Sequence, residues 1–270
     1  MILIYNFSRN LIAEKIVKTS FINSYGKILI KSVKNDSIPK NLEKIFLVVF
    51  IGTKKSISKK LIQKLKKKKI KIIIFGSLTE DLSSSLKFKN NILNNDFWTL
   101  RIKKGNTTQS DLYIQYCRNQ LYSQTPKRYF ERYDYKDEWN NYGYGKIDFK
   151  NKILSISSTI KLNNQNEISY ISDNNNNYYG SYSGLWKNDF CLLWFNRLSG
   201  PFDSFEWRIV ENFVSNLVYK NFKCLPLISE IPFGTKGIAT ARLDCDEDIE
   251  SSKKLFQFYK KKNITLSLAV

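Results

Sequence analysis

The chain contains no histidine. That absence removes the side chain whose ordinary pKa best suits acid-base work near neutral pH, so neither a Ser-His-Asp nor a Cys-His-Glu triad can be assembled from these residues. Cysteine is scarce and scattered, at Cys117, Cys191, Cys224 and Cys245, with no C-x-x-C pair. Neither a zinc knuckle nor a disulfide framework is indicated, and free thiols in a reducing compartment are the expectation. No run approaches the roughly 18 apolar residues of a membrane span. The N-terminus MILIYNFSRNLIAEKIV lacks the basic start and small-residue cleavage site of a signal peptide. The cytoplasm is the expected location. No G-x-G-x-x-G follows the first apolar run, and Gly52-Thr53-Lys54-Lys55-Ser56 lacks the spacing of a phosphate-binding loop, which argues against dinucleotide or P-loop chemistry. Acids are also short, 24 against 44 Lys and Arg, for a net charge of +20.

Hydrophobic residues make up 42% of the 270 positions, enough for a packed core. The excess charge would ordinarily suggest a polyanion partner. Ten lysines, however, fall between Lys54 and Lys71, where a helix would carry them on its solvated side, and no nucleic-acid module accompanies them. Nucleic acid is therefore the less favoured partner.

Along the first third, strands and helices alternate. Met1 to Phe7 reads as a strand, and Leu11 to Phe21 as a helix with apolar positions 11, 12, 16 and 17. Gly26 to Val33 is a second strand. Ile45 to Ile51 and Ile70 to Phe75 are uninterrupted apolar runs of the kind a parallel sheet buries on both faces, with the helix Ser56 to Lys69 between them. This order predicts an open, mostly parallel α/β sheet with helices on both sides, Rossmann- or flavodoxin-like.

The middle is looser. Tyr129, Phe130, Tyr133, Tyr135, Trp139, Tyr142 and Tyr144 crowd a charged segment and suit either packing against a neighbouring surface, the favoured reading, or stacking on sugar rings. Lys152 to Leu162 and Glu167 to Ile171 alternate like antiparallel strands, separated by the polar turn Asn163 to Asn166. Asp173 to Asn177 reads as a further turn, Gly180 to Gly184 as a loop, and Asp189 to Phe195 as a buried strand. Phe205 to Tyr219 is the clearest helix, with Glu206, Ile209, Val210, Phe213, Val214, Leu217 and Val218 on one stripe and Asp203 with Glu206 as a capping-box-like start.

The last stretch is the most informative. Ile238 to Leu243 is a short apolar run that enters five carboxylates within seven residues, Asp244, Asp246, Glu247, Asp248 and Glu250. A helix follows, with Ile249, Leu255, Phe256 and Tyr259 near helical spacing and Lys260, Lys261 and Lys262 in its last turn, ended by Asn263. Ile264 to Val270 then alternates as a strand. The whole is one parallel β-α-β unit whose acids fall at a strand's carboxyl end, where functional groups of such units collect. Asp246 or Asp248 could serve as a helix N-cap, but a cap needs one acid; so many carboxylates together also suit a divalent cation or a cationic substrate.

At these residues the chain resembles the opening of the polysaccharide deacetylase (NodB-like) carbohydrate esterases. Arg242-Leu243-Asp244-Cys245-Asp246 stands at that family's strand-end aspartate motif, and Asn263 to Val270 at its second strand. The resemblance implies a (β/α) barrel that removes acetyl groups from carbohydrate, with Asp244 as general base and Asp246 as ligand of a divalent metal, zinc or similar. The family commonly has adjacent aspartates, whereas Cys245 intervenes here. Its two metal-binding histidines come later on the barrel and have no counterpart in this chain, so these residues are expected to be catalytically silent as they stand and to form the front part of a longer protein.

Upstream, the order of strand, loop, GPFDSFEWRIVENF and helix is similar to the end of the glutamine-amidotransferase-like domains that precede some deacetylase domains. The implied division is an amidotransferase-like α/β domain over 1–225, a linker over 226–236 and a deacetylase opening over 237–270. Two other readings of the acidic turn stay open. One is a D-x-D phosphatase or glycosyltransferase, although a phosphatase would want Thr or Val where Asp248 stands. The other is a non-catalytic α/β carbohydrate-binding or interaction module.

Overall fold

The structure, a computed structural model, describes residues 1–33, 42–53, 59–79, 82, 86, 88–90, 112–117, 127–129, 156–187, 191–201, 204–216, 221–225, 241–244 and 248–269. The chain divides into two compact units, Met1–Leu225 and Pro226–Val270. The expected linker 226–236 and most of the expected Tyr-rich segment lie outside the described residues.

The first unit is an α/β fold on one large mixed sheet. Its strands are β1 (Ile2–Asn6), β2 (Ile30–Val33), β3 (Leu47–Ile51), β4 (Lys71–Phe75), β6 (Leu112–Tyr116), β7 (Arg128–Tyr129), β9 (Glu167–Asp173), β10 (Tyr178–Trp186) and β11 (Leu192–Phe195), in the order β2-β1-β3-β4-β11-β10-β9-β6-β7. The first five in that order run parallel, and the rest antiparallel. Two short strands, β5 (Lys89–Asn90) and β8 (Ile160–Lys161), pair separately. The helices of this unit are α1 (Leu11–Tyr25), α2 (Lys59–Lys67) and α3 (Ser204–Ser215).

Side chains on a strand alternate between faces, and that alternation divides the parallel half into two cores. On one face Ile2, Ile4, Val49, Ile73 and Phe195 meet Ala13, Val17 and Phe21 of α1 and Ile209, Val210, Phe213 and Val214 of α3. On the other face Leu3, Tyr5, Val48, Phe50, Ile72 and Trp194 meet Leu61, Ile62 and Leu65 of α2. α1 and α3 are locked side by side: Phe21 meets Trp207 edge-on at 5.1 Å, and Trp207 Nε1 donates to Ser24 Oγ, which donates to Glu211 Oε1, each at 2.7 Å.

Three expectations are corrected. The stripe of α1 that faces the sheet is Ala13, Val17 and Phe21, at i, i+4, i+8, while Leu11 and Ile12 are exposed. The Asn10 cap, whose side chain accepts from Ala13 N at 3.0 Å, starts the helix there and sets its phase. Gly180 to Gly184 is no loop but the middle of β10, the longest strand. Glycine is used there because the strand is irregular and crowded: its pairing with β9 shifts register near Gly180 and again between Ser183 and Gly184, and a Cβ on Gly184 would meet Leu162 Cδ1 at 2.3 Å. Of the antiparallel strand expected over 152–162, the described residues 156–162 form only β8, while the one expected over 167–171 is the bulk of β9. β8 goes to β5, and β9 pairs with β10 around the Asp173–Asn177 turn, whose Asp173 carboxylate accepts from the Asn175 and Asn177 amides at 2.9 Å.

In the second unit β12 (Ala241–Asp244), α4 (Ile249–Lys261) and β13 (Leu266–Ala269) form one β-α-β unit, its strands parallel with Asp244 opposite Ala269. Asn263, at φ +55°, takes the left-handed turn that ends the helix.

Candidate functional site

Strand β12 carries the acidic turn to the position the sequence suggests. Asp244 is its last residue, and α4 begins five residues later, so the carboxylates occupy the link from strand end to helix start. Asp246 and the Asp244 side chain lie outside the described residues. Asp248 acts locally, its Oδ1 accepting from Glu250 N at 2.9 Å as the N-cap of α4. Glu250 pairs with Lys253 one turn on. Among the described residues no three His, Cys, Asp or Glu gather where a cation could sit. On α4, Ile249, Leu255, Phe256 and Phe258 are exposed.

In the first unit the carboxyl ends of the parallel strands converge where open α/β sheets usually bind ligands, and the chain's direction across the sheet reverses between β1 and β3. Backbone bonds join the ends of β1 and β3 there. Phe7 N and Ser8 N both donate to Ile51 O, at 3.0 and 2.9 Å, and Gly52, at φ +71°, sits so close to Ser8 that a Cβ would come within 3.1 Å of its backbone N. Beyond β11, Asn196 is a fully buried hub. Its Oδ1 accepts from Ser157 N and Ser158 N, and its Nδ2 donates to Ser158 O and Ser181 O. Next to it the buried Arg197 guanidinium lies 5.3 Å from the Tyr182 ring centre, and buried Glu206 of α3 accepts from Tyr116 Oη at 2.7 Å. These groups brace the loop; the three described cysteines, all free thiols, lie elsewhere. Asp203, the other half of the expected capping-box start, lies outside the described residues.

The antiparallel half carries a different surface. Pairing of β6, β9 and β10 sets Tyr113 and Gln115 beside Ser172 and Tyr170, and these beside Tyr178 and Ser181. The Tyr170 and Tyr178 rings stack at 5.4 Å, Lys161 Nζ lies 5.3 Å from the Tyr178 ring centre, and Lys127 Nζ 3.9 Å from that of Tyr113. Tyr170 Oη donates to Gln115 Oε1 at 3.1 Å, and Gln115 Nε2 donates to Ser172 Oγ and Asn176 Oδ1. Under the rings Glu167 accepts from Tyr178 Oη at 2.7 Å and from Ser181 Oγ. Burial raises the Glu167 pKa, with those two hydroxyls and the Lys161 charge pulling it part of the way back. Burial, helped by the Glu167 charge, also pushes the nearby Cys117 thiol up to about 11.

Sequence reasoning missed this group, because it looked for aromatics as a cluster along the chain whereas strand pairing assembles them from separate segments. The available signal was the set of polar side chains between the two isoleucines and at the ends of EISYISD. It also missed Lys71, a charge fully buried at the head of an apolar strand. No family model matches the chain, and no curated protein or solved structure matches it either.

Proposed function

We propose that this chain joins a non-catalytic, flavodoxin-like α/β domain of amidotransferase type to the opening unit of a polysaccharide-deacetylase-like domain. In that unit Asp244 would act as the general base and Asp246 as a ligand of a divalent metal, zinc or similar, in hydrolysis of acetyl groups on carbohydrate. The observation that carries the reading is the second unit itself: a strand ending on Asp244, an acidic turn, a helix capped by Asp248 and a parallel second strand. The order β2-β1-β3-β4-β11 supports the flavodoxin-like part. A barrel of this kind needs about eight strands, and the histidine ligands of such a centre would have to come from residues beyond these.

The test is acetate release from acetylated oligosaccharides with added divalent metal. The 270 residues alone should release none. Joined to a segment that supplies a histidine pair, the chain should be active, and Asp244→Asn should lower the rate by about 10²-fold or more. Activity indifferent to that substitution, or phosphate release in place of acetate, would overturn the reading.

A second reading, carbohydrate binding by the first unit without catalysis, is favoured by the Tyr113, Tyr170 and Tyr178 surface, since flat rings among amide and hydroxyl groups suit sugar faces. Binding of oligosaccharide that persists at raised salt and is lost in Tyr170→Ala would support it. Binding to RNA alone, abolished by salt, would point to charge instead.

A further inference from the structure

Lys71 begins β4, and its side chain is fully buried. Its Nζ donates to Phe213 O at 2.8 Å and Val214 O at 2.7 Å, carbonyls in the last turn of α3, as a cation at a helix C-terminus should. Its third close neighbour is sulfur: Cys224 Sγ stands 3.4 Å away. Cys224 is half-buried, and its thiol is also held by Asn216 O at 3.1 Å, so sulfur and nitrogen are kept within the roughly 3–3.5 Å of a near-attack arrangement. Burial, the largest influence, lowers the Lys71 pKa, which brings the neutral amine with its lone pair closer to physiological pH. A second thiol, Cys191, sits beside Lys71 across the β4–β11 pairing, where Ile72 N donates to Cys191 O at 2.9 Å. That thiol is buried and pushed up to about 12, chiefly by desolvation, so it holds little thiolate and is the poorer target for an oxidant.

We propose that Lys71 and Cys224 are an oxidative modification site, at which a peroxide joins Nζ to Sγ and ties the end of α3 and the 221–225 segment covalently to β4. The peroxide O–O bond breaks as sulfur takes one oxygen. The thiol becomes a sulfenic acid, losing two electrons, and the other oxygen leaves as water. The Lys71 amine then attacks sulfur with its lone pair, the S–O bond breaks, and the hydroxyl leaves as a second water with a proton from nitrogen. One thiol, one amine and one hydrogen peroxide give one S–N bond and two waters.

The test is hydrogen peroxide treatment of the 270-residue chain, followed by intact mass and peptide mapping without reductant. The expected product is about 2 Da lighter, with the Lys71 and Cys224 peptides joined, and is reversed by dithiothreitol. The same pair joined through an oxygen atom, about 14 Da heavier, upholds the site and changes only the bond. The link should survive Cys191→Ser and vanish in Cys224→Ser. Because Lys71→Arg could unfold the chain, the peptide map of the unsubstituted protein decides. Cys191 and Cys224 peptides joined as a disulfide, Cys224 carried to an unjoined sulfinic acid, or a thiol left untouched each overturn the proposal.

Discussion

The two halves of the large sheet solve different problems. In the parallel half β1, β3, β4 and β11 are buried on both faces and made almost wholly of Ile, Leu, Val and Phe, because helices cover each side and leave no surface for a polar group to reach water. In the antiparallel half β10, β9 and β6 carry Ser, Tyr, Gln and Glu between their apolar positions, and those groups satisfy one another across strands. The first half is built for stability. The second spends its side chains on a polar network and a row of rings.

Three substitutions would sharpen or break that contrast, the largest effect first. Phe50→Ala, in the middle of β3, should cost about 3–5 kcal/mol in urea unfolding, since it removes a fully buried ring from the core against α2. A loss below about 1 kcal/mol would mean that the parallel half is not the stable one. Gly184→Ala, in β10, should cost about 1–3 kcal/mol by thermal melting. Its new methyl would press on Leu162 Cδ1 and lie 3.2 Å from Asn166 O, so the link between β8 and β9 would have to give.

The smallest effect, and the most diagnostic, is that of Glu167→Gln on the pH dependence of stability. Because burial raises the Glu167 pKa, the folded chain keeps this proton to a higher pH than the unfolded chain does. The linked stability is therefore fully present below the ordinary carboxylate range and is lost as pH rises through the folded value. The Gln variant should lack that decline, and equal slopes in the two proteins from acid to neutral pH would show that Glu167 is not held as described.

The parallel half was legible because a strand buried on both faces has to be a short apolar run, and such runs are visible without knowing their partners. Ile45 to Ile51 and Ile70 to Phe75 each lie within two residues of β3 and β4. The β-α-β unit was legible for a related reason, since the Asp248 cap and the Asn263 stop act within one helical turn of the residues they bound. The antiparallel half was misread where partners mattered. Glycines that look like a loop are strand residues once Leu162 and Trp186 crowd them, and an alternating pattern does not say which strand it will pair with. Of the acidic turn, the strand-end position of Asp244 was legible; the arrangement of its carboxylates depends on whatever packs around it.

Chain order, the alternation of strands and helices, and the acidic link between β12 and α4 were determined by local sequence, because periodicity, caps and turns act over a few residues. Tertiary structure alone decided that Tyr113, Tyr170 and Tyr178 share one face, that Glu206 and Arg197 are buried, and that Lys71 meets Cys224. Those pairings join residues as far apart as 153 positions. They follow from strand order and helix docking, which minimise exposed apolar surface over the whole unit and cannot be read from any one segment.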